Sequence, residues 1–300
     1  MRNVINLIGF VPFLIVMFLN AGVDLGHKIT IQNILVKNFS GDTLIILSSV
    51  INLLILLPFV LAFSLSGFLS DKFSRTTITR ICATLEILLT LLITIFYYFG
   101  FFYAAFAATI LLGIESAIYS PAKYGLIKKL VGAENLGVAN GLVQSITIVA
   151  ILIASLAFSI IFEKYVDGSN IAEMLHSIYF IGIILFILAV VQTIFTFKIP
   201  FFEPTDEKLN FDKKKYFKFN YLVENLKILF KSRNLFLCII GISVFWGMSQ
   251  LIIATFPAHF KLITGSDNVE IIQFILAVSI IGIIIGSAIA GNQGNHDNRS

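Results

Sequence analysis

Eight apolar stretches, near residues 7–36, 43–70, 79–100, 101–121, 137–163, 174–198, 234–258 and 270–291, are each long enough to cross a bilayer, which takes about 20 residues of helix. No water is available in the hydrocarbon core, so each spanning segment has to satisfy its own backbone, and a single segment does that as a helix. The alternating segments of about 10 residues that mark a membrane barrel are absent from the sequence. Composition agrees: apolar residues make up 58% of the chain and charged residues 13%, against about 45–50% and about 25% in soluble domains. The fold class is therefore an all-α membrane protein, which excludes an ordinary soluble enzyme, a disordered chain and a disulfide scaffold. The first span is too long for a signal peptide and lacks a small-residue cleavage site, so it is expected to stay in the mature protein. Cys82 and Cys238 both fall in apolar runs and read as reduced core residues.

Charge sets the orientation. If the N-terminus is cytoplasmic, 17 of the 21 Lys and Arg residues lie inside and only Lys37, Lys164 and Lys261 lie outside, with Lys28 within a span. By the positive-inside rule both termini are then expected in the cytoplasm of a multi-pass inner-membrane protein. The one sizeable hydrophilic stretch, Lys198 to Arg233, carries Lys213, Lys214, Lys215 and Lys218 among Phe211, Tyr216, Phe217 and Phe219. It reads as a linker whose lysines face anionic lipid and whose aromatics lie in the interface, rather than as a nucleic-acid site. The expected organisation is a six-helix bundle over 1–198, a cytoplasmic basic linker over 199–233, and over 234–300 the first two helices of an incomplete second bundle.

Ionisable groups inside spans are costly and read as functional. Asn20, Asp24 and Lys28 fall within about 80° of arc on the first helix, with His27 beside them. Either Asp24 and Lys28 neutralise each other at i and i+4, or the stripe lines a substrate cavity, which is the reading preferred here. Glu115 and Tyr119 repeat the pattern in the fourth span, and Lys123 follows Pro121, where the helix is expected to end. Asn140, Gln144 and Thr147 share a face of the fifth span, and Glu86 lies inside the third as either a packing or a cavity residue. Together they outline a polar cavity carrying both signs, suited to a zwitterion or to a proton relay. Gly282, Gly286 and Ala290 have the small-residue spacing that lets helices approach.

The loop after the second span reads Gly67-Phe68-Leu69-Ser70-Asp71-Lys72-Phe73-Ser74-Arg75-Thr76. It resembles the signature between the second and third helices of the major facilitator superfamily, G-x-L-[AS]-D-[RK]-x-G-[RK]-[RK]. Ser74 stands in place of the usual Gly and Thr76 in place of a basic residue. The resemblance implies a major facilitator-type helical bundle, eight of whose expected twelve helices are present, so the chain is expected to be an N-terminal fragment. In that setting Gly67 would permit close helix packing, and Asp71, Lys72 and Arg75 would form a latch at the inner gate.

A narrower likeness lies in Ile118-Tyr119-Ser120-Pro121-Ala122-Lys123-Tyr124-Gly125, Ala139-Asn140-Gly141-Leu142 and Phe18-Leu19-Asn20-Ala21-Gly22-Val23-Asp24. These segments resemble the lysophospholipid transporter family, also found as the membrane part of acyltransferase/acyl-ACP synthetase fusions, although Leu25 replaces that family's Asn. The resemblance covers roughly residues 10–200 well. It implies flipping of lysophospholipid across the bacterial inner membrane for re-acylation. Asp24 and Glu115 would meet the headgroup ammonium and Lys28 and Lys123 its phosphate; Lys123 also reads as a positive anchor at the membrane edge. Two other readings stay open: a proton-coupled facilitator of a small solute or drug, and the membrane portion of a phospholipid acyltransferase fusion. Within the sequence itself no acyltransferase H-x-x-x-x-D occurs, since Gln32, Ile181 and Thr264 occupy the fifth positions after His27, His176 and His259. The histidines and cysteines show no metal-ligand spacing. Neither a cofactor nor a metal is expected; the expected partners are membrane lipid, a lysophospholipid substrate and a fused or associated acyltransferase/acyl-ACP synthetase.

Overall fold

A computed structural model describes residues 2–206, 209, 216, 223, 227, 230, 232–279 and 282. The lysine run at Lys213, Lys214, Lys215 and Lys218, most of the expected linker, Gly286 and Ala290 of the eighth span, and Arg299 lie outside the described residues. Within them the chain is helical, with no strand. The order is α1 (Arg2–Ile5), α2 (Phe10–Asn38), α3 (Gly41–Lys72), α4 (Arg75–Tyr98), α5 (Phe102–Val131), α6 (Leu136–Tyr165), α7 (Ile171–Ser177), α8 (Tyr179–Thr196) and α9 (Arg233–Thr264), followed by α10 (Val269–Ser279). By length and composition, α2–α6, α8 and most of α9 can each cross a membrane.

Short connections force successive long helices to run antiparallel, which gives the molecule two ends. One carries the α3–α4 loop around Asp71, the other the C-terminus of α2 at Lys37. The α4–α5 connection is tight because Gly100 takes φ 69° and its Cα packs against the backbone of Ala172, where an added Cβ would sit 2.8 Å from the Ala172 carbonyl oxygen. Ser74 caps α4 by accepting from the Thr77 amide at 3.4 Å. Asn170 caps α7 by accepting from the Glu173 amide at 3.0 Å, and Glu173 accepts in return from the Ser169 amide and hydroxyl. Those bonds, the backbone one foremost, hold the Glu173 carboxyl below the usual carboxylate range.

Three expectations need correction. The fourth span does not stop at Pro121: α5 runs through it to Val131. Membrane helices tolerate an internal proline because neighbouring groups re-satisfy the freed backbone, and the cationic final turns carry the helix past the apolar run. The sixth span is two helices, broken at Ile178, whose φ −105° and ψ 13° leave the α-helical region. Cys238 is exposed rather than core, because its half of α9 stands away from the α2–α8 body.

The interior combines large apolar side chains with small and polar residues at helix contacts, while many further leucines and isoleucines face outward, as lipid allows. Two apolar clusters result. One, at the Lys37 end, joins Ile31, Leu35, Ile93, Phe158 and Leu185; the other, at the Asp71 end, joins Phe13, Met17, Cys82, Leu126 and Val143. The polar midplane residues lie between them. Glycines set the closest helix approaches: a Cβ on Gly182 of α8 would lie 2.8 Å from the Thr94 Cα on α4. Gly182→Leu is therefore expected to force α4 and α8 apart and destabilise the protein by about 1–3 kcal/mol. Thermal unfolding in detergent checks this, with Gly137→Leu as the control, since nothing lies within 4 Å of a Cβ there.

Candidate functional site

Asp24, Glu86 and Glu115 stand near the midpoints of α2, α4 and α5, so antiparallel packing brings three carboxylates to one level. The Ser116 hydroxyl donates to Asp24 Oδ2 at 2.7 Å and lies 3.5 Å from Glu115 Oε2. The Cys82 thiol sits against the Glu115 carboxyl. Asp24 Oδ1 and Glu115 Oε1 are buried with no hydrogen-bond partner among the described residues. Glu86 is fully buried and clamped by two amides: Asn20 Nδ2 donates to Oε1 at 3.4 Å and Gln192 Nε2 to Oε2 at 2.5 Å. Asn20 is thus part of the midplane layer through Glu86.

Among the described residues, Lys123 is the cation that interacts electrostatically with all three of these groups. It lies two turns beyond Glu115 on α5, 5.5 Å from the Tyr119 ring centre and 5.4 Å from that of Tyr124. The helix that was expected to stop at Pro121 instead carries Lys123 on the same face as Glu115 and Tyr119. The Tyr119 hydroxyl is 3.9 Å from Met17 Sδ, and the ring walls the site toward the Asp71 end.

The other expected site residues separate. No ion pair joins Asp24 to Lys28 among the described residues, so the i, i+4 neutralisation does not form. His27 turns into a different network on the Lys37 side of the midplane: its Nδ1 is 3.0 Å from the Tyr97 hydroxyl and its Nε2 3.2 Å from Thr109 Oγ1. Asn140 and Gln144 lie exposed on α6 and share no hydrogen bond with the cluster among the described residues. Gln192 was absent from the sequence-based set. Its signal was faint, a lone amide in the sixth span, while Glu86 was noticed but had no visible partner.

The residues expected to form a gating loop make a structured turn. Arg75 Nη2 pairs with Asp71 Oδ1 at 3.0 Å, Nε donates to Ser70 Oγ at 3.3 Å, and Nη1 reaches the Gly125 carbonyl on α5 at 3.1 Å. Gly125 leaves room for this contact: an added Cβ would lie 2.5 Å from Arg75 Nε, so the guanidinium would have to shift. The Asp71 carbonyl accepts from the Thr205 and Asp206 amides at 3.1 and 3.0 Å, Ser74 donates to the Phe202 carbonyl at 2.7 Å and Thr76 to that of Pro200 at 2.9 Å. Lys72 lies over the Phe68 ring at 5.5 Å. Gly67 does not serve close packing among the described residues, because its face is open and a Cβ there meets nothing within 4 Å.

The family model of the Major Facilitator Superfamily matches residues 8–295. This chain belongs to that superfamily. Its sequence is similar to the lysophospholipid transporter LplT of Serratia proteamaculans, 26% identical over 237 residues, which is 79% of this chain and 53% of the relative. The LplT of an Enterobacter species is 26% identical over 226 residues, 75% of this chain and 51% of that protein. That of Cronobacter sakazakii is 34% identical over 116 residues, 39% of this chain and 26% of its own length. The chain spans about half the length of the first two of these curated relatives. No solved structure gives a significant match. Membership of the superfamily makes this a multi-pass membrane protein.

Two outcomes follow from this geometry. Gly125→Val is expected to push the Arg75 guanidinium off the Gly125 carbonyl, and the loss of one charged hydrogen bond, about 1.5–3 kcal/mol, loosens the turn. Hydrogen exchange at the Thr205 and Asp206 amides should then accelerate roughly 10- to 100-fold. Gln192→Leu leaves Glu86 Oε2 without its donor and is expected to cost about 1–3 kcal/mol in a denaturation measurement, whereas a leucine replacing exposed Gln144 should change stability little.

Proposed function

We propose that the protein to which this chain belongs moves lysophospholipid, such as lysophosphatidylethanolamine, from the outer to the inner leaflet of the bacterial inner membrane for re-acylation. The observation that carries this reading is the mixed-charge midplane cluster: two buried carboxylate oxygens, Asp24 Oδ1 and Glu115 Oε1, without a partner among the described residues, and Lys123 within electrostatic reach of both acids. A zwitterionic headgroup complements such a pair of charges. Its ammonium meets Asp24 and Glu115, and its phosphate meets Lys123, with Lys28 further along α2. Asn20 and Tyr119 border this site, and His27, Asn140 and Gln144 belong to the outer parts of the pathway. The acyl chain stays in lipid between helices, so only the headgroup has to cross a polar path.

Alternating access rocks one half of such a transporter against the other around a midplane site. In this reading residues 1–198 are one half, 199–233 the cytoplasmic linker, and 234–300 the start of the other half. Both termini of the chain face the cytoplasm, where the Asp71–Arg75 turn latches the inner end. An acyltransferase/acyl-ACP synthetase, fused or associated, consumes the delivered lipid. The names of the relatives support the substrate class.

A second reading rests on Glu86: a carboxyl clamped by Asn20 and Gln192 next to two further acids is also the arrangement of a proton carrier for a soluble solute. One reconstitution separates the two. Full-length protein in proteoliposomes is expected to flip lysophosphatidylethanolamine, and Asp24→Asn to slow it at least about tenfold, the equivalent of one charged contact of about 1.5 kcal/mol. A wild-type rate in that variant removes Asp24 from the mechanism. Uncoupler-sensitive uptake of a water-soluble compound without lipid movement selects the second reading.

A further inference from the structure

The two ends of the molecule are held differently. At the Lys37 end the α9–α10 hairpin is pinned to the α2–α8 body by a set of charged contacts. Lys37, in the last turn of α2, pairs with Glu163 of α6 at 2.7 Å and with Asp267 of the hairpin loop at 3.1 Å. The other oxygen of Glu163 accepts from the Val269 amide at 3.1 Å, at the start of α10. In the reverse direction, Lys261 of α9 donates to the Val36 carbonyl at 2.8 Å and the Phe39 carbonyl at 3.1 Å. A cation at the carbonyl-rich C-terminus of a helix is favourably placed, so α2 and the hairpin each lend a lysine to the other. Beneath these contacts Ala258, Val269 and Ile272 join the apolar cluster of the α2–α8 body.

Toward the other end the middle of α9 stands clear of the body among the described residues. Every residue of α9 from 240 to 248 is exposed, on all faces of the helix. The hairpin therefore meets the body at the Lys37 end and splays from it toward the Asp71 end.

A polar layer lies under the pinned end. Gln32, Asn33, Ser48 and Asn52, from the last turns of α2 and the first turns of α3, are buried, and each has a side-chain polar atom without a hydrogen-bond partner among the described residues. Buried polar groups left unpaired oppose the state that buries them. An ion pair whose Asp267 side is 43% exposed is weak and easily broken. The contacts thus hold shut an end whose interior gains hydrogen bonds from water as soon as it opens.

We propose that Lys37 is the pin of a gate at this end: its ammonium, shared between Glu163 of the body and Asp267 of the hairpin, holds the two together, and opening withdraws it and hydrates the polar layer at Gln32, Asn33, Ser48 and Asn52. In the proposed transport cycle this is the gate opposite the Asp71 turn. The inference takes its purpose from the transport reading, but its test needs no substrate.

The experiment uses full-length protein carrying Ser48→Cys, a near-isosteric reporter in the buried layer. It is labelled with a membrane-impermeant maleimide in vesicles of both orientations and read by peptide mass spectrometry, so that Cys82 and Cys238 do not interfere. Labelling at position 48 is expected to be slow in the parent and about tenfold faster with Lys37→Ala. Lys37→Glu, which sets three acids against one another, should label faster still. Adding Asp267→Lys to Lys37→Glu restores an opposite-charge pair across the same gap and should return labelling toward the parent rate. A merely misfolded variant would not be rescued by a change in the hairpin loop. Equal rates in the parent and Lys37→Ala, or acceleration that Asp267→Lys leaves in place, overturn the gate. The vesicle orientation that labels also assigns this end to one membrane face. Failure of lipid flipping with this labelling pattern intact would count against the substrate reading and not against the gate.

Discussion

Hydrocarbon offers no hydrogen-bond partner and no counter-ion, so each polar group of this chain has to find its partner within the protein or at a membrane face. That constraint makes the backbone helical and changes what may be exposed: apolar side chains can face outward and polar ones are drawn in. Leu53, Leu56 and Val60 of α3 face outward, whereas Asn20, Glu86, Glu115 and Gln192 are enclosed. It also splits the apolar interior. A single continuous core would have no place for three carboxylates, and here two apolar clusters are separated by the polar layer. The layer exists because α2, α4 and α5 each carry one acid near the midpoint, and antiparallel packing of helices of similar length puts midpoints at the same depth.

From that layer α5 itself leads to the Asp71 end. Glu115, Tyr119 and Lys123 recur at intervals of four, and Gly125 follows at the point where Arg75 crosses from the α3–α4 loop. Arg75 uses the fork of its guanidinium to tie Asp71, Ser70 and Gly125 together, a geometry that the point charge of lysine does not reproduce. The site and the loop turn therefore share a rigid helix, and a change in the tilt of α5 is felt at both. Toward the Lys37 end the link is α2, which carries Asp24 at its middle and Lys37 in its final turn.

The superfamily match covers residues 8–295, which takes in both the α2–α8 body and the α9–α10 hairpin. The relatives named as lysophospholipid transporters align with about half of their own length, so the likeness bears chiefly on the part of the architecture that α2–α8 and the hairpin represent. Within that part the segment from Ile118 to Gly125 is where loop and site meet, which gives a physical reason for a small residue at position 125.

Most helical spans, their order and the position of the loop between α3 and α4 were legible in the sequence, because each depends on local properties: run length and the absence of charge. Asp24, Glu115, Tyr119 and Lys123 were legible for a related reason, since a charge in an apolar run is conspicuous and a spacing of four places residues on one face. What periodicity leaves undetermined is which faces meet. Gln192 became a partner of Glu86 only when α8 packed on α4, His27 left the stripe of Asp24 for Tyr97 and Thr109, and Lys28 did not pair with Asp24 although the spacing permits it. The passage of α5 through Pro121 and the break at Ile178 depend in the same way on neighbouring helices. The sequence by itself determined that polar groups lie at mid-membrane depth, since apolar run length and the cost of exposing charge to lipid are properties of the chain alone. Tertiary structure decided how those groups are paired, because each hydrogen bond needs a donor and an acceptor within about 3 Å, a distance that helix packing sets.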